Sequence, residues 1–152
     1  MKNQSSLRFV SIILFFSLSN LWASSQAFEH LPEEEVDQEQ ITIARDFSHT
    51  FLVTLKEGKS YEFQDEAILE LINSLTPDIQ EEVYQDVQKK FGEYQDLEYR
   101  ETWQQTGCKE LVIIRFKGIF DDQKKESEIR IVLNSENKIA GFWIKPWIDD
   151  LR

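Results

Sequence analysis

The strongest structural pattern in this chain lies in residues 94–147, YQDLEYRETWQQTGCKELVIIRFKGIFDDQKKESEIRIVLNSENKIAGFWIKPW. Apolar and polar residues alternate here with a period of two, which is typical of β-strands that bury one face. Turn-forming residues divide the stretch into four predicted strands: Tyr94 to Gln105, Cys108 to Phe120, Lys125 to Asn134 and Lys138 to Trp147. Their connections are too short for a parallel crossover, so an antiparallel meander is predicted.

The lengths of the hairpins predict which residues share a face of this sheet. A two-residue loop at Thr106-Gly107 would pair Tyr99 with Ile114, and a four-residue loop at 121–124 would pair Ile114 with Ile131. The resulting apolar face should receive the helices. With one residue of the first helix, it supplies the predicted lining of a ligand pocket: Phe51, Tyr99, Trp103, Ile114, Phe116 and Phe142.

The opposite face mixes charged and apolar side chains. Its apolar stripe is the predicted interface: Leu111, Ile113, Val132, Ile139 and Trp143. Stripes of this kind often mark a partner surface, and homodimerisation through this outer face is one prediction. Cover by the chain's own leader or tail, including Trp147 and Ile148, is the alternative.

Three helices are predicted before the strands. Apolar residues recur at helical spacing from Ile41 to Leu55 and again from Ala67 to Leu75. Thr76-Pro77-Asp78 then begins a third helix, which Gly92 ends. The predicted fold class is α+β, with three N-terminal helices packed on a curved four-stranded antiparallel meander sheet.

The first 27 residues predict export. A basic start with Lys2 and Arg8 precedes an apolar run, and small residues allow cleavage after Ala27 or after Ser25. The apolar run is shorter than the roughly 20 residues that span a bilayer, so no stable membrane anchor is expected. We predict a signal peptide at 1–27, an acidic flexible leader at 28–38, and a single domain at 39–152 in a periplasm or the external medium.

Charge and cysteine content limit the possible partners. The whole chain has a formal charge of −11, and removing Lys2 and Arg8 makes the exported part −13. Such a surface repels phosphate backbones, so nucleic acid is not an expected partner. The lone Cys108 leaves no internal disulfide, and its thiol could be buried, cross-linked to another chain, or reactive.

Motifs for metal, nucleotide and hydrolase chemistry are missing. The two histidines and one cysteine form no zinc-binding pattern, and no P-loop, GxGxxG or GxSxG occurs. We therefore expect neither a metal nor a cofactor. Asp46 and His49 are three residues apart on the first predicted helix, where a solvent-facing pair is the expected arrangement.

The order of three helices and then a meander resembles the cone-shaped fold of the nuclear transport factor 2-like superfamily. Within it, the chain is most similar to small exported bacterial domains of unknown function. The residues that carry the resemblance are the first helix with Gly58, Leu75-Thr76-Pro77, Phe91-Gly92 and the final strand KIAGFWIKP at 138–146. Catalytic members resembling ketosteroid isomerase use acids, histidines and tyrosines inside the cone. The resemblance thus implies a pocket, but no single function.

Three functions follow as hypotheses. The first is a non-catalytic exported domain that binds a small apolar ligand in the cone or a protein partner on the sheet. The second is an isomerase- or dehydratase-like enzyme with Glu101 or Asp46 as base and Tyr99 as hydrogen-bond donor, and with His49 as a further candidate. Glu101 could act this way only if it enters an apolar cavity, where burial raises a carboxyl pKa, rather than lying at the hydrated rim. The third is a structural subunit of an envelope assembly.

Overall fold

The computed structural model describes residues 27–107, 109–122 and 125–149. The predicted signal peptide up to residue 26 and the Cys108 thiol lie outside the described residues. No helix in the described ranges is long and apolar enough to cross a membrane.

Three α-helices precede four consecutive strands, in the predicted order. They are α1 (Gln38–Lys56), α2 (Leu69–Ser74) and α3 (Pro77–Phe91). The Asp37 side chain caps α1 by accepting a hydrogen bond from the Glu39 N–H at 2.8 Å. Gly92 ends α3 with φ of 86°, and a Cβ there would lie 1.9 Å from a carboxylate oxygen of Asp121. Only glycine fits this turn.

The sheet has five antiparallel strands, not the predicted four. In spatial order they are β1 (Phe28–His30), β2 (Tyr94–Gln105), β3 (Val112–Phe120), β4 (Ser127–Leu133) and β5 (Ile139–Pro146). The additional strand comes from the predicted leader, which also forms a 3-10 turn at Glu33–Glu35. A three-residue strand is too short to show a period of two, so the alternation could not reveal β1. Its partner residues on β2 are Trp103 to Gln105.

The predicted register is confirmed between β3 and β4 and wrong between β2 and β3. Ile114 pairs with Ile131, as expected, but Tyr99 pairs with Phe116 instead of Ile114. The cause is the first hairpin: the Gln105 N–H bonds the Leu111 carbonyl at 2.9 Å, so this loop is longer than two residues.

Of the three register shifts in the sheet, two move predicted site residues to a different face. The β2 pairing shifts between Tyr99 and Glu101, so Tyr99 points toward the helices while Glu101 and Trp103 point away. The prediction that these three share the inner face is therefore wrong. A second shift, between Val132 and Leu133, turns Ile139 toward the helices.

The core lies between the helices and the inner face of the sheet. Helix α1 supplies Ala44, Phe47, Phe51, Leu52 and Leu55, and the strands supply Leu97, Ile114, Phe116, Ile129, Ile131, Leu133, Ile139 and Phe142. Burial of these apolar side chains is the main stabilising contribution to the fold.

Candidate functional site

The outer face of the sheet, on the side away from the helices, is the candidate site. We define it by the side chains of β2 to β5 that point outward: Glu98, Glu101, Trp103, Ile113, Arg115, Lys117, Glu128, Arg130, Val132, Trp143 and Lys145. Antiparallel pairing places these residues side by side across four strands. Glu101, Arg115, Arg130 and Trp143, for example, form one row.

A buried ion network occupies the centre of the outer face. The Arg115 side chain is 0% exposed and donates two hydrogen bonds to Glu128, at 3.0 Å from Nε and 2.9 Å from Nη2. Its Nη1 donates to Glu101, and Arg130 Nε donates to Glu128 at 2.6 Å. A bidentate arginine–carboxylate pair fixes the geometry of both side chains.

The C-terminal segment covers this network. The Arg115 guanidinium lies 4.3 Å from the centre of the Trp147 ring, which is a cation–π distance. Arg115 Nη2 also donates to the Ile148 carbonyl, and the Trp147 N–H bonds the Glu126 carbonyl at 3.0 Å. Cover by Trp147 and Ile148 was one of the two predictions for this face, and it is confirmed at Arg115.

The short strand β1 borders the outer face on one side. The His30 ring packs edge-on against Trp103 with centroids 5.4 Å apart, and His30 Nε2 lies 3.6 Å from a Glu101 carboxylate oxygen. The two ends of the described chain thus both contact the outer face.

Burial and charge shift the acidity of two groups on this face. Burial alone would raise the Glu128 pKa, but hydrogen bonds from Arg115 and Arg130 outweigh it and hold that pKa below its usual value. The Lys145 pKa is lowered, first by burial and then by the positive charge of Arg130. Glu128 is therefore a stabilised anion, while Lys145 is a cation in an unfavourable place.

Two donors on the outer face have no acceptor among the residues that the structure describes. Trp103 Nε1 and Arg130 Nη2 are buried and make no hydrogen bond within the described residues. Native proteins leave few buried polar atoms unpaired. Both atoms are shielded from solvent by the chain's own residues, so polar pairing within this face is incomplete.

Most of the predicted ligand-pocket residues lie in the packed core, and Trp103 lies on the outer face. Phe51, Ile114 and Phe116 are each 0% exposed and belong to the core cluster, as does Phe142. The Phe51 and Phe142 rings are in contact, with centroids 5.0 Å apart. Tyr99 packs on Phe116 and its hydroxyl lies 3.0 Å from Thr102 Oγ1, whereas Trp103 is on the outer face.

Two clefts lie against the helices. One, of about 60 Å³, separates α3 from β5 and contacts Phe142 at its edge. The other, of about 260 Å³, lies between the end of α1 and α3 and contains none of the predicted ligand residues. Drug-sized ligands occupy roughly 300 to 1,000 Å³, so the first cleft is too small for one.

The catalytic candidates do not form a common site. Tyr99 faces the core, while Glu101 lies on the outer face in an ion pair with Arg115. Asp46 is exposed on α1. His49 does not pair with Asp46 but with other residues: its Nδ1 lies 3.0 Å from the Tyr94 hydroxyl and 3.9 Å from Asp96. No group of three metal-binding side chains occurs among the residues the structure describes.

The predicted interface residues divide into two sets. Ile113, Val132 and Trp143 are on the outer face, and Leu111 directly precedes β3 with partial exposure. Ile139 was assigned to the same face, but it is 0% exposed in the core because of the second bulge. The Trp143 indole folds over Gly141, where a Cβ would lie 2.2 Å from the ring.

The ion network itself was missed from the sequence. Arg115, Lys117, Glu128 and Arg130 alternate with apolar residues, which predicts only a solvated face. The sequence did contain one signal for it. Trp147 and Ile148 directly follow the last strand, and an aromatic side chain at that point can stack on an arginine of the sheet.

The chain was compared with protein-family models, curated proteins and solved structures, and none of the three comparisons finds a match.

Proposed function

We propose that this chain is an exported, non-catalytic domain that associates with a second copy of itself through the outer face. The observation that carries the proposal is the composition of that face, where the partly exposed Trp103, Trp143 and Val132 lie beside paired charged side chains. The inner face, in contrast, has its predicted ligand residues packed against each other. This favours a protein partner over a small apolar ligand.

The tryptophans support a protein interface. Of the four tryptophans in the chain, Trp22 falls in the predicted signal, and Trp103, Trp143 and Trp147 all contact the outer face. Tryptophan and arginine are the residues most enriched among those that dominate binding energy at protein interfaces. Here they lie beside the apolar side chains of Ile113 and Val132.

The charge distribution favours a second copy as the partner. A chain with a charge of −13 repels its own copies over most of its surface. The outer face is different, because Arg115, Lys117, Arg130 and Lys145 are balanced by Glu98, Glu101 and Glu128. With four positive and three negative side chains, it is where two copies can approach without net repulsion.

The proposal includes the relationship to the nuclear transport factor 2-like superfamily that the sequence pattern suggests. An α+β fold with helices on one face of an antiparallel sheet supports this relationship. Because one fold hosts many functions, the relationship adds nothing to the choice between binding and catalysis. That choice rests on the outer face.

Sedimentation equilibrium of the exported chain tests the proposal. Wild-type protein should show a monomer–dimer equilibrium, and Val132→Glu should weaken it by about tenfold or more, because a central interface contact contributes above 1 kcal/mol and 1.4 kcal/mol is tenfold. Leu69→Glu is the matched control, because Leu69 is 71% exposed on α2 and does not belong to the outer face of the sheet. A wild-type chain that stays monomeric at every concentration would overturn the proposal.

A further inference from the structure

The folded sheet includes Ala27, the last residue of the predicted signal peptide. The Ala27 carbonyl accepts two hydrogen bonds from Thr106, at 2.8 Å from the backbone N–H and at 2.8 Å from Oγ1. Phe28, the next residue, begins β1 and lies opposite Gln105. Ala27 therefore continues the pairing of β1 with β2 by one residue, to the position opposite Thr106.

The alternation of hydrogen bonds along β1 shows what Ala27 contributes. In an antiparallel pair, only every second residue exchanges hydrogen bonds with the residue opposite. Thr106 bonds Ala27 at one end, and the Leu31 N–H bonds the Thr102 carbonyl at 2.9 Å at the other end. Glu29 is the hydrogen-bonded position between them. Loss of Ala27 would remove one of these positions from the shortest strand of the described sheet.

Two positions in the sequence offer signal peptidase the small residues that it requires one and three positions before the cleaved bond. Cleavage after Ala27 uses Ser25 and Ala27, and cleavage after Ser25 uses Ala23 and Ser25. The residue types do not separate the two sites. The fold separates them, because cleavage after Ala27 removes a residue that pairs with β2, whereas cleavage after Ser25 retains it.

We propose that the exported chain begins at Gln26, after cleavage between Ser25 and Gln26. The inference rests on the export that the proposed function includes. A peptidase must bind the oxygen of the carbonyl that it attacks, and in the folded chain the Ala27 oxygen is already bound twice by Thr106. Hydrogen-bonded segments are cleaved only after they open. Folding therefore protects the bond after Ala27.

The reaction is a hydrolysis by signal peptidase. The C–N bond between Ser25 and Gln26 breaks, the hydroxyl of one water molecule completes the Ser25 carboxyl group, and the remaining proton goes to the Gln26 amine. The product keeps β1 fully paired beside the outer face. The last residue of β1, His30, packs on Trp103 there, with centroids 5.4 Å apart.

The intact mass of the exported protein tests the inference. The full chain is expressed in a Gram-negative bacterium, and protein recovered from the periplasm or the medium is measured by mass spectrometry. The expected mass is that of residues 26–152, with or without the loss of one ammonia when the N-terminal amine attacks the Gln26 side-chain amide. The mass of residues 28–152, or of any other cleavage product, would overturn the inference.

Two matched replacements identify the cleavage site a second way. Ala23→Gln places a large residue three positions before the cut after Ser25, so the product that begins at Gln26 should be lost. Ala27→Gln blocks only the alternative site. It changes an exposed side chain and keeps the backbone carbonyl that Thr106 binds, so cleavage at Gln26 should continue. The reverse pattern would contradict the assignment.

Hydrogen exchange of the Thr106 amide tests the structural basis. In a purified chain that begins at Phe28, this amide should exchange roughly three- to tenfold faster than in a chain that begins at Gln26, because it has lost its acceptor. Equal exchange would overturn the inference, since Ala27 would then not belong to the sheet.

These measurements separate the inference from the proposed function. A monomeric protein that begins at Gln26 overturns the proposed dimer and supports the cleavage site. A dimeric protein that begins at Phe28 does the opposite. A chain that is neither exported nor cleaved overturns the inference together with the export on which it rests.

Discussion

The two faces of the sheet are equally well buried at their centres but are stabilised by different interactions. On β3, Phe116 points inward and its neighbour Arg115 points outward, and both are 0% exposed. Phe116 belongs to the apolar core cluster and packs against the Tyr99 ring, whereas Arg115 contacts two carboxylates, an indole ring and a backbone carbonyl. One strand therefore separates an apolar core from a polar one.

The difference shows what each face contributes. Apolar burial stabilises the fold in proportion to the area removed from water. A buried ion network must first lose its hydration, so its net contribution is small even when breaking it is damaging. We infer that the inner face provides most of the folding free energy, while the outer face fixes the positions of β1 and of the segment that follows β5.

The largest effect should come from the inner face. Phe116→Ala removes a fully buried ring between β2 and β4 and leaves a cavity, so unfolding should become easier by about 4 kcal/mol. Urea unfolding followed by circular dichroism measures this change. Leu69→Ala, on an exposed position of α2, should change the stability by less than about 0.5 kcal/mol. If Phe116→Ala costs no more than Leu69→Ala, the inner face is not the main stabilising core.

A somewhat smaller effect is expected on the outer face. Arg115→Met leaves Glu128 buried with Arg130 as its remaining hydrogen-bond partner among the described residues, and the loss should be about 3 kcal/mol in the same urea experiment. It should also free the C-terminal segment, which would be seen as increased solvent exposure of Trp147 by fluorescence quenching.

The double replacement Arg115→Met with Glu128→Met tests whether the network itself stabilises the fold. Because both buried charges are removed together, part of the lost stability should return. A double variant less stable than Arg115→Met alone would show that the ion network is a true stabilising core, and the contrast between the two faces would disappear.

Much of the fold could be predicted because periodic patterns specify it. The helices and the pairing of β3 with β4 follow from apolar spacing and a short loop. The inserted residue at Arg100 could not be predicted, because a bulge leaves the polar and apolar alternation intact on each side. That single insertion moved Glu101 and Trp103 from the expected pocket to the outer face.

The candidate site was predictable only in part, for a related reason. Ile113, Val132 and Trp143 were assigned to the correct face by parity. The partners of Arg115 come from β2, β4 and the segment after β5, and no local pattern reports contacts between residues so distant in sequence. Strand β1 was missed because its hydrogen bonds go to the backbone of β2 and require no particular side chains.

The smallest predicted effect is on the pH dependence of the unfolding free energy, and it also distinguishes the two faces. Hydrogen bonds from Arg115 and Arg130 hold the Glu128 pKa below its usual value of 4.5, so the unfolded chain takes up this proton at higher pH than the folded chain does. Glu128 therefore contributes stability above its unfolded pKa, and this contribution is lost as the pH falls through the folded pKa. The free energy of unfolding should decrease with acid below the usual value, and Glu128→Gln should make that slope shallower even though it lowers stability overall. Phe116→Ala has no ionisable group and should keep the wild-type slope. If the slope is unchanged in Glu128→Gln, the outer-face network does not stabilise the ionised form of Glu128 relative to the unfolded chain.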